Sequence, residues 1–225
     1  MATKTINEQA LEQKLIRMEK QSSPLEQNLK KQEIPAVSVF KDGTGYKLAS
    51  FSESKMVLTP KNETKIRHSL PKLFRDIDDV VLQASPTQRT VTGKRVAVLF
   101  SGGPAAGGHN VVVGIKKILG RDNTLYGVQN GPKGLVAGDL IELANEHLDR
   151  VVNLGGFDLL GSDRTKIKTK EQYENVKKTV KAYKLDGIII IGGDDSNTNA
   201  AFLAEYLYDE GCKVIGVPKT IDGDL

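Results

Sequence analysis

Gly187-Ile188-Ile189-Ile190-Ile191-Gly192-Gly193-Asp194-Asp195-Ser196-Asn197-Thr198-Asn199 is the stretch that decides the fold. Four consecutive isoleucines between glycines read as a strand covered on both faces. Ser196 to Tyr208 then carries a helix pattern. A buried strand that runs through a glycine-rich loop into a helix is half of a βαβ unit.

The same pattern recurs on either side. Upstream, Arg95 to Phe100 is a short apolar run that ends in a second glycine-rich loop. Asn110 to Leu119 is helix-like, Thr124 to Val128 is a candidate strand, and Lys170 to Tyr183 is a Lys-rich helix pattern. Downstream, Lys213 to Val217 is a strand that Pro218 closes. Strands alternating with helices predict an α/β fold: a Rossmann-like, mostly parallel sheet with helices on both faces.

The pattern weakens before residue 92. Ile6 to Lys20 reads as an amphipathic helix, with Ile6, Ala10, Leu11, Leu15 and Met18 near 3.6 spacing. Gln21 to Lys31 is polar, holds Pro24 and reads as a linker. Ile34–Phe40 and Tyr46–Phe51 read as two strands around an Asp42-Gly43-Thr44-Gly45 turn. The expected organisation is a mixed α/β N-terminal extension over 1–90, packed against an α/β domain over 91–225.

Composition excludes several function classes. Hydrophobic residues are 39% and charged residues 27%, the mix of a globular protein. No run of about 18 apolar residues is present to form a transmembrane helix. The charged start does not read as a secretory signal, and the single cysteine, Cys212, has no internal disulfide partner. A cytoplasmic setting is the expectation. Residues 1–90 hold 15 basic and 11 acidic residues, whereas 91–225 hold 17 of each. The excess of +4 is scattered over the extension. With no Trp and 5% aromatics, this disfavours a nucleic-acid platform.

Ligands of open α/β sheets bind beyond the carboxyl ends of the strands. Three such loops are rich in Gly, Asp and Ser. The first is Ser101-Gly102-Gly103-Pro104-Ala105-Ala106-Gly107-Gly108-His109-Asn110. Its glycines let backbone amides approach an anion at a helix N-terminus, or they serve a tight turn. It lacks the Gly-Lys-Ser/Thr of a P-loop and the spacing of a dinucleotide fingerprint. The second places Asp194 beside Asp195 directly after the buried strand. Adjacent carboxylates there suit a Mg²⁺ ligand, or Asp195 or Ser196 only caps the next helix. The third, Pro218-Lys219-Thr220-Ile221-Asp222-Gly223-Asp224, holds a lysine, a hydroxyl and two carboxylates. It reads as a general base beside a cation, or as a salt-bridged turn. Together the loops hold the parts of a phosphoryl-transfer site. His109 has no partner at metal-ligand spacing, Asn110 reads as orienting the helix start, and Cys212 reads as a small buried hydrophobe.

With these motifs in order, the sequence resembles the pyrophosphate-dependent phosphofructokinases, in their long-subunit branch. The resemblance covers about residues 94 to 225. It rests on Ser101-Gly102-Gly103, Gly107-Gly108-His109-Asn110, Gly155-Gly156-Phe157-Asp158, Gly161-Ser162-Asp163-Arg164, Gly192-Gly193-Asp194-Asp195-Ser196 and Lys219-Thr220-Ile221-Asp222-Gly223-Asp224. It implies reversible phosphoryl transfer from Mg·pyrophosphate to the 1-hydroxyl of fructose 6-phosphate. It implies Asp222 as the base, Asp194 as the Mg²⁺ ligand, and the Gly102, Gly103, Gly107 and Gly108 loop on the donor. It further implies Thr220, Ile221 and Asp222 beside the sugar phosphate, Arg164 on the donor charge, and Asp224 in the catalytic loop. In ATP-using relatives the positions of Asp195 and Lys219 are typically glycine. Asp195 would occupy the place of the ATP α-phosphate, and Lys219 would add a cation for pyrophosphate.

Pro104 and Ala106 depart from the family pattern, and Pro104 removes a backbone N–H from the first loop. The family site lies between two domains, and most residues that grip the sugar come later than Leu225. The resemblance therefore implies a fragment with little activity alone, from a cytoplasmic enzyme that forms a homodimer. The rivals are an ATP-dependent sugar-phosphate kinase and a non-catalytic regulatory subunit of such an enzyme. A regulator has no need of a base at Asp222.

Overall fold

The computed structural model describes residues 6–32, 40–43, 45–57, 63–74, 80–87 and 90–220. The extension holds α1 (Ile6–Gln21), α2 (Pro24–Leu29), β1 (Lys41–Asp42), β2 (Gly45–Tyr46), β3 (Ala49–Val57), α3 (Glu63–Ser69) and β4 (Val80–Pro86). There follow β5 (Arg95–Ser101), α4 (Gly108–Leu119), β6 (Thr124–Val128), α5 (Gly131–Ala137), β7 (Leu140–Glu142), α6 (Asn145–Asp149) and β8 (Ser162–Asp163). The last elements are α7 (Lys170–Tyr183), β9 (Gly187–Gly192), α8 (Asp194–Leu207) and β10 (Lys213–Pro218).

The main sheet runs β10-β9-β5-β6-β7, with β8 joined to the end of β5. β10, β9, β5 and β6 are parallel, and β7 closes its edge antiparallel. The fold is thus α/β around a mostly parallel sheet, as the strand–helix alternation predicts. Side chains of β5 alternate between two cores. Ala97 and Leu99 face one with Leu135, Val176, Val180 and Leu203. Val98 and Phe100 face the other with Leu15, Val112 and Val113. Burial on both faces is why β5 and β9 read as continuous apolar runs.

The extension differs from its sequence reading in several places, among them helix α3 and the split of the expected Tyr46–Phe51 strand between β2 and β3. Gln21 to Lys31 is not all linker, because Pro24–Leu29 is a helix capped by Ser23. The Ser23 hydroxyl accepts from the Glu26 amide, and Glu26 reaches back to the Ser23 amide. This capping box with Pro at the first turn is a local signal that outweighs polarity. In α1, Leu11 and Leu15 are buried, but Ala10 is exposed. β3 pairs antiparallel with β4, a partner the sequence reading did not place. The Ile34–Phe40 strand lies, except for Phe40, outside the described residues, as does Thr44 of the expected turn. Lys41–Asp42 and Gly45–Tyr46 pair on either side of that turn.

Helix α1 lies on the sheet domain. Leu11 and Leu15 enter the second core, and Arg150 donates to Glu12 at 2.9 Å and to Glu19 at 2.8 Å. Farther along, the backbone amides of Lys72 and Leu73 donate to the Glu205 carboxylate at 2.9 Å each.

Candidate active site

Strand register brings the glycine-rich loops together. Ser101 is level with Gly192 on one side and with Asp163 on the other. Gly192 is level in turn with Pro218. Loops far apart in sequence therefore emerge side by side at the carboxyl edge.

Close packing fixes this edge. A Cβ on Gly192 would lie 2.5 Å from Ser196 Cβ and 2.8 Å from the Ser101 carbonyl, so only glycine fits. The Ser196 hydroxyl donates to Ser101 Oγ at 2.8 Å, joining the first and second loops. The Gly102 amide donates to the Asp163 carbonyl at 2.9 Å, and the Ser162 hydroxyl donates to the Gly102 carbonyl at 2.5 Å. Asn197 donates to the Gly192 and Gly193 carbonyls at 2.7 and 2.8 Å, holding the turn into α8.

These contacts frame a cavity of about 340 Å³. Gly102, Gly103, Arg164, Lys166, Asp194 and Asp195 contribute to its lining. The Arg164 guanidinium lies 3.5 Å from where a Gly103 Cβ would sit, which sets it beside the glycine loop. Asp194 and Asp195 occupy the first turn of α8, where the helix dipole favours anions. Lys166 Nζ pairs with Asp195 Oδ2 at 2.7 Å. Cations, carboxylates and a glycine backbone around one small cavity suit a polyanionic ligand that carries a divalent cation.

Gly102, Gly103, Arg164, Asp194 and Asp195 thus line one cavity. Lys219 is not in the cavity lining, but its amide donates to the Gly192 carbonyl at 2.8 Å, which sets it beside the second loop. Thr220 is exposed just beyond. Ile221, Asp222 and Asp224 lie outside the described residues.

Gly107 and Gly108 do not line this cavity. Gly107 is the N-cap of α4. A Cβ on Gly108 would lie 2.6 Å from the Gly156 carbonyl and 2.7 Å from the Phe157 ring. Phe157 stacks on Phe100 with ring centroids 4.3 Å apart. The Gly155-Gly156-Phe157-Asp158 motif therefore packs against the start of α4.

His109 fastens the same contact. It is fully buried, its Nδ1 lies 2.6 Å from the Leu154 carbonyl, and its Nε2 accepts from the Leu159 amide at 3.0 Å. These partners require the neutral ring with its proton on Nδ1. Burial holds its pKa below the ordinary histidine value, opposed by the Leu154 carbonyl and by Asp158. Asn110 joins the start of α4 to Asn153 through two hydrogen bonds, at 2.8 and 2.9 Å. Cys212 is buried, and desolvation pushes its thiol up to about 12, so it is inert.

Sequence reasoning missed Lys166 and gave Asn199 no role. Asn199 accepts from the Ile167 amide at 3.1 Å and donates to the Ile167 carbonyl at 2.8 Å. The available signal was the position of Lys166 two residues after Arg164, in a segment that reads as plain loop.

The phosphofructokinase family model matches residues 95–225. That match covers more than half of the chain. The chain belongs to the phosphofructokinase family. A pyrophosphate–fructose 6-phosphate 1-phosphotransferase of Entamoeba histolytica is 43% identical over 191 residues. That alignment covers 69% of this chain and 35% of the relative. The enzyme of the same name from Treponema pallidum is 48% identical over 153 residues, 66% of this chain and 26% of the relative. The chain thus spans about a quarter to a third of the curated relatives it matches. The crystal structure of a pyrophosphate-dependent phosphofructokinase from Nitrosospira multiformis aligns with a TM-score of 0.51 at 26% identity. It covers 59% of this chain and 35% of that one.

Proposed function

We propose that the protein transfers a phosphoryl group from Mg·pyrophosphate to the 1-hydroxyl of fructose 6-phosphate, giving fructose 1,6-bisphosphate and phosphate. One observation carries the choice of donor. Asp195 places a carboxylate in the cavity with Arg164 and Gly103, where a nucleotide donor would need room for a further phosphate. Two anions cannot share that space without a large cost. The relatives named for pyrophosphate support the same choice.

In this reading the Gly102–Gly103 backbone lies along the donor and Arg164 binds its charge. Lys219 stabilises charge that develops during transfer. Asp222 accepts the proton of the attacking hydroxyl, Thr220 and Ile221 border the sugar phosphate, and Asp224 supports that loop. Positioning and electrostatics supply nearly all of the catalysis in such a site.

The residues fit Mg²⁺ brought in with the donor. Magnesium takes one or two carboxylates and completes its shell with phosphate oxygens and water. Asp194 lines the cavity and, among the described residues, forms no ion pair. No group of three or more metal-ligating side chains occurs among the described residues. Asp194 would hold the ion, which when bound neutralises charge on the phosphates.

No described helix is long and apolar enough to cross a membrane. We place the enzyme in the cytoplasm as a homodimer. Assay of the full-length protein with fructose 6-phosphate tests the donor. Turnover with Mg·pyrophosphate and little with Mg·ATP is expected, and turnover with ATP alone would refute the reading.

A further inference from the structure

Lys166 is absent from the motifs that define the site, yet it lies inside the cavity. Its ammonium sits 2.7 Å from Asp195, the carboxylate on which the choice of donor rests. The neighbouring Asp194 forms no such pair among the described residues. Two adjacent carboxylates are thus treated differently, one compensated by protein and one left open.

The backbone that carries Lys166 is fixed on both sides. On one side, the Thr165 amide and hydroxyl donate to Asp163 at 3.1 and 2.6 Å. On the other, Ile167 is held by both ends of the Asn199 amide, at 3.1 and 2.8 Å. Asn199 lies on α8, one helical turn beyond Asp195. The element that presents Asp195 therefore also positions Lys166. The two side chains are 44% and 70% exposed, so solvent screening limits the strength of the pair, and the case for Lys166 rests on where its backbone is held.

The arrangement answers a problem that Asp195 creates. A carboxylate that repels a nucleotide's extra phosphate also repels pyrophosphate, which is itself strongly anionic. We propose that Lys166 is a positioning residue for donor choice. It neutralises and orients Asp195, so that the carboxylate obstructs a nucleotide while tolerating pyrophosphate. The inference rests on the reading of this cavity as the donor site. Lys166 acts through Asp195, and this separates it from Arg164 and Lys219, which act on the donor itself.

The test is a double-mutant cycle in the full-length protein. Binding of Mg·pyrophosphate is measured by titration calorimetry, alongside its KM with fructose 6-phosphate. Lys166→Met should weaken binding about fivefold, the size of one favourable charge contact. Lys166→Arg should restore most of that loss. In an Asp195→Gly background, Lys166→Met should change binding less than about twofold, because nothing is left to neutralise. Equal losses in both backgrounds would overturn the proposal by showing direct contact with the donor. No loss in either would overturn it by showing an incidental pair. Lys166 is 44% exposed, so the variants should fold, which melting curves check. The unmodified protein separates the two readings. Activity with ATP and not pyrophosphate sinks the donor assignment and this inference together. Pyrophosphate use with an additive cycle sinks this inference alone.

Discussion

The side-chain amide of Asn199 brackets Ile167, donating to its carbonyl oxygen at 2.8 Å while accepting from its amide at 3.1 Å. This pair ties the first turns of α8 to the segment that carries Arg164 and Lys166. The cavity is therefore built from two elements locked to each other, and its charges keep their spacing.

Asn199→Ala should lose both bonds and leave the backbone groups of the buried Ile167 without these partners. A cost of about 1–3 kcal/mol is expected for two half-buried hydrogen bonds. Urea unfolding at neutral pH reads the stability, and the KM for pyrophosphate should rise with it. An unchanged KM with a lowered midpoint would mean that Asn199 serves the fold alone.

His109 makes stability depend on pH. Burial lowers its pKa in the folded state, so the unfolded chain binds the proton first, near pH 6.5. Its contribution is fully present above about pH 6.5. It is lost as pH falls from there through the lowered folded value, because the protonated ring cannot accept from Leu159. Urea midpoints at pH 7.5 and 5.5 should differ more for the wild type than for His109→Gln. Equal differences would show that other groups carry the acid sensitivity.

Helix α1 is held by apolar contacts more than by charge. Leu15 is fully buried, and Leu15→Ala should cost about 2–5 kcal/mol. Arg150 pairs with Glu12 and Glu19, whose side chains are 34% and 40% exposed. Arg150→Ala should therefore cost only about 1 kcal/mol, after allowance for solvent screening. Limited proteolysis within residues 6–21 should rise sharply for the first variant and slightly for the second. The reverse order would show that the ion pairs carry the docking.

Asp222→Ser should abolish turnover in the full-length protein while leaving binding of Mg·pyrophosphate nearly intact, since a base is needed for the chemical step alone. Residual turnover above about one per cent would remove Asp222 from that role.

Much of the main sheet was legible because β5, β9 and β10 are apolar runs with glycine or proline close to their ends, and their helices keep a 3.6-residue period. The elements missed, α5, β7, α6 and β8, are seven residues or fewer, too short to show a period. β7 also breaks the parallel pattern, and only its register with β6 reveals this. In the site, Asp194, Asp195 and Arg164 were legible from residue type and position at strand ends. Gly108 is harder to read, because a glycine that accommodates Phe157 looks in sequence like one that faces a phosphate. Lys166 was invisible, because its value comes from a carboxylate 29 residues away.

In the proposed function Asp195 and Lys219 set the phosphoryl donor. The ratio of kcat/KM for pyrophosphate over ATP tests this, measured with fructose 6-phosphate in the full-length protein and in its Asp195→Gly/Lys219→Gly variant. A ratio far above one is expected in the wild type. In the variant the ratio should fall about a hundredfold or more, through loss of pyrophosphate use together with a gain in ATP use. A ratio that the two substitutions leave unchanged, or an equal loss with both donors, would contradict it.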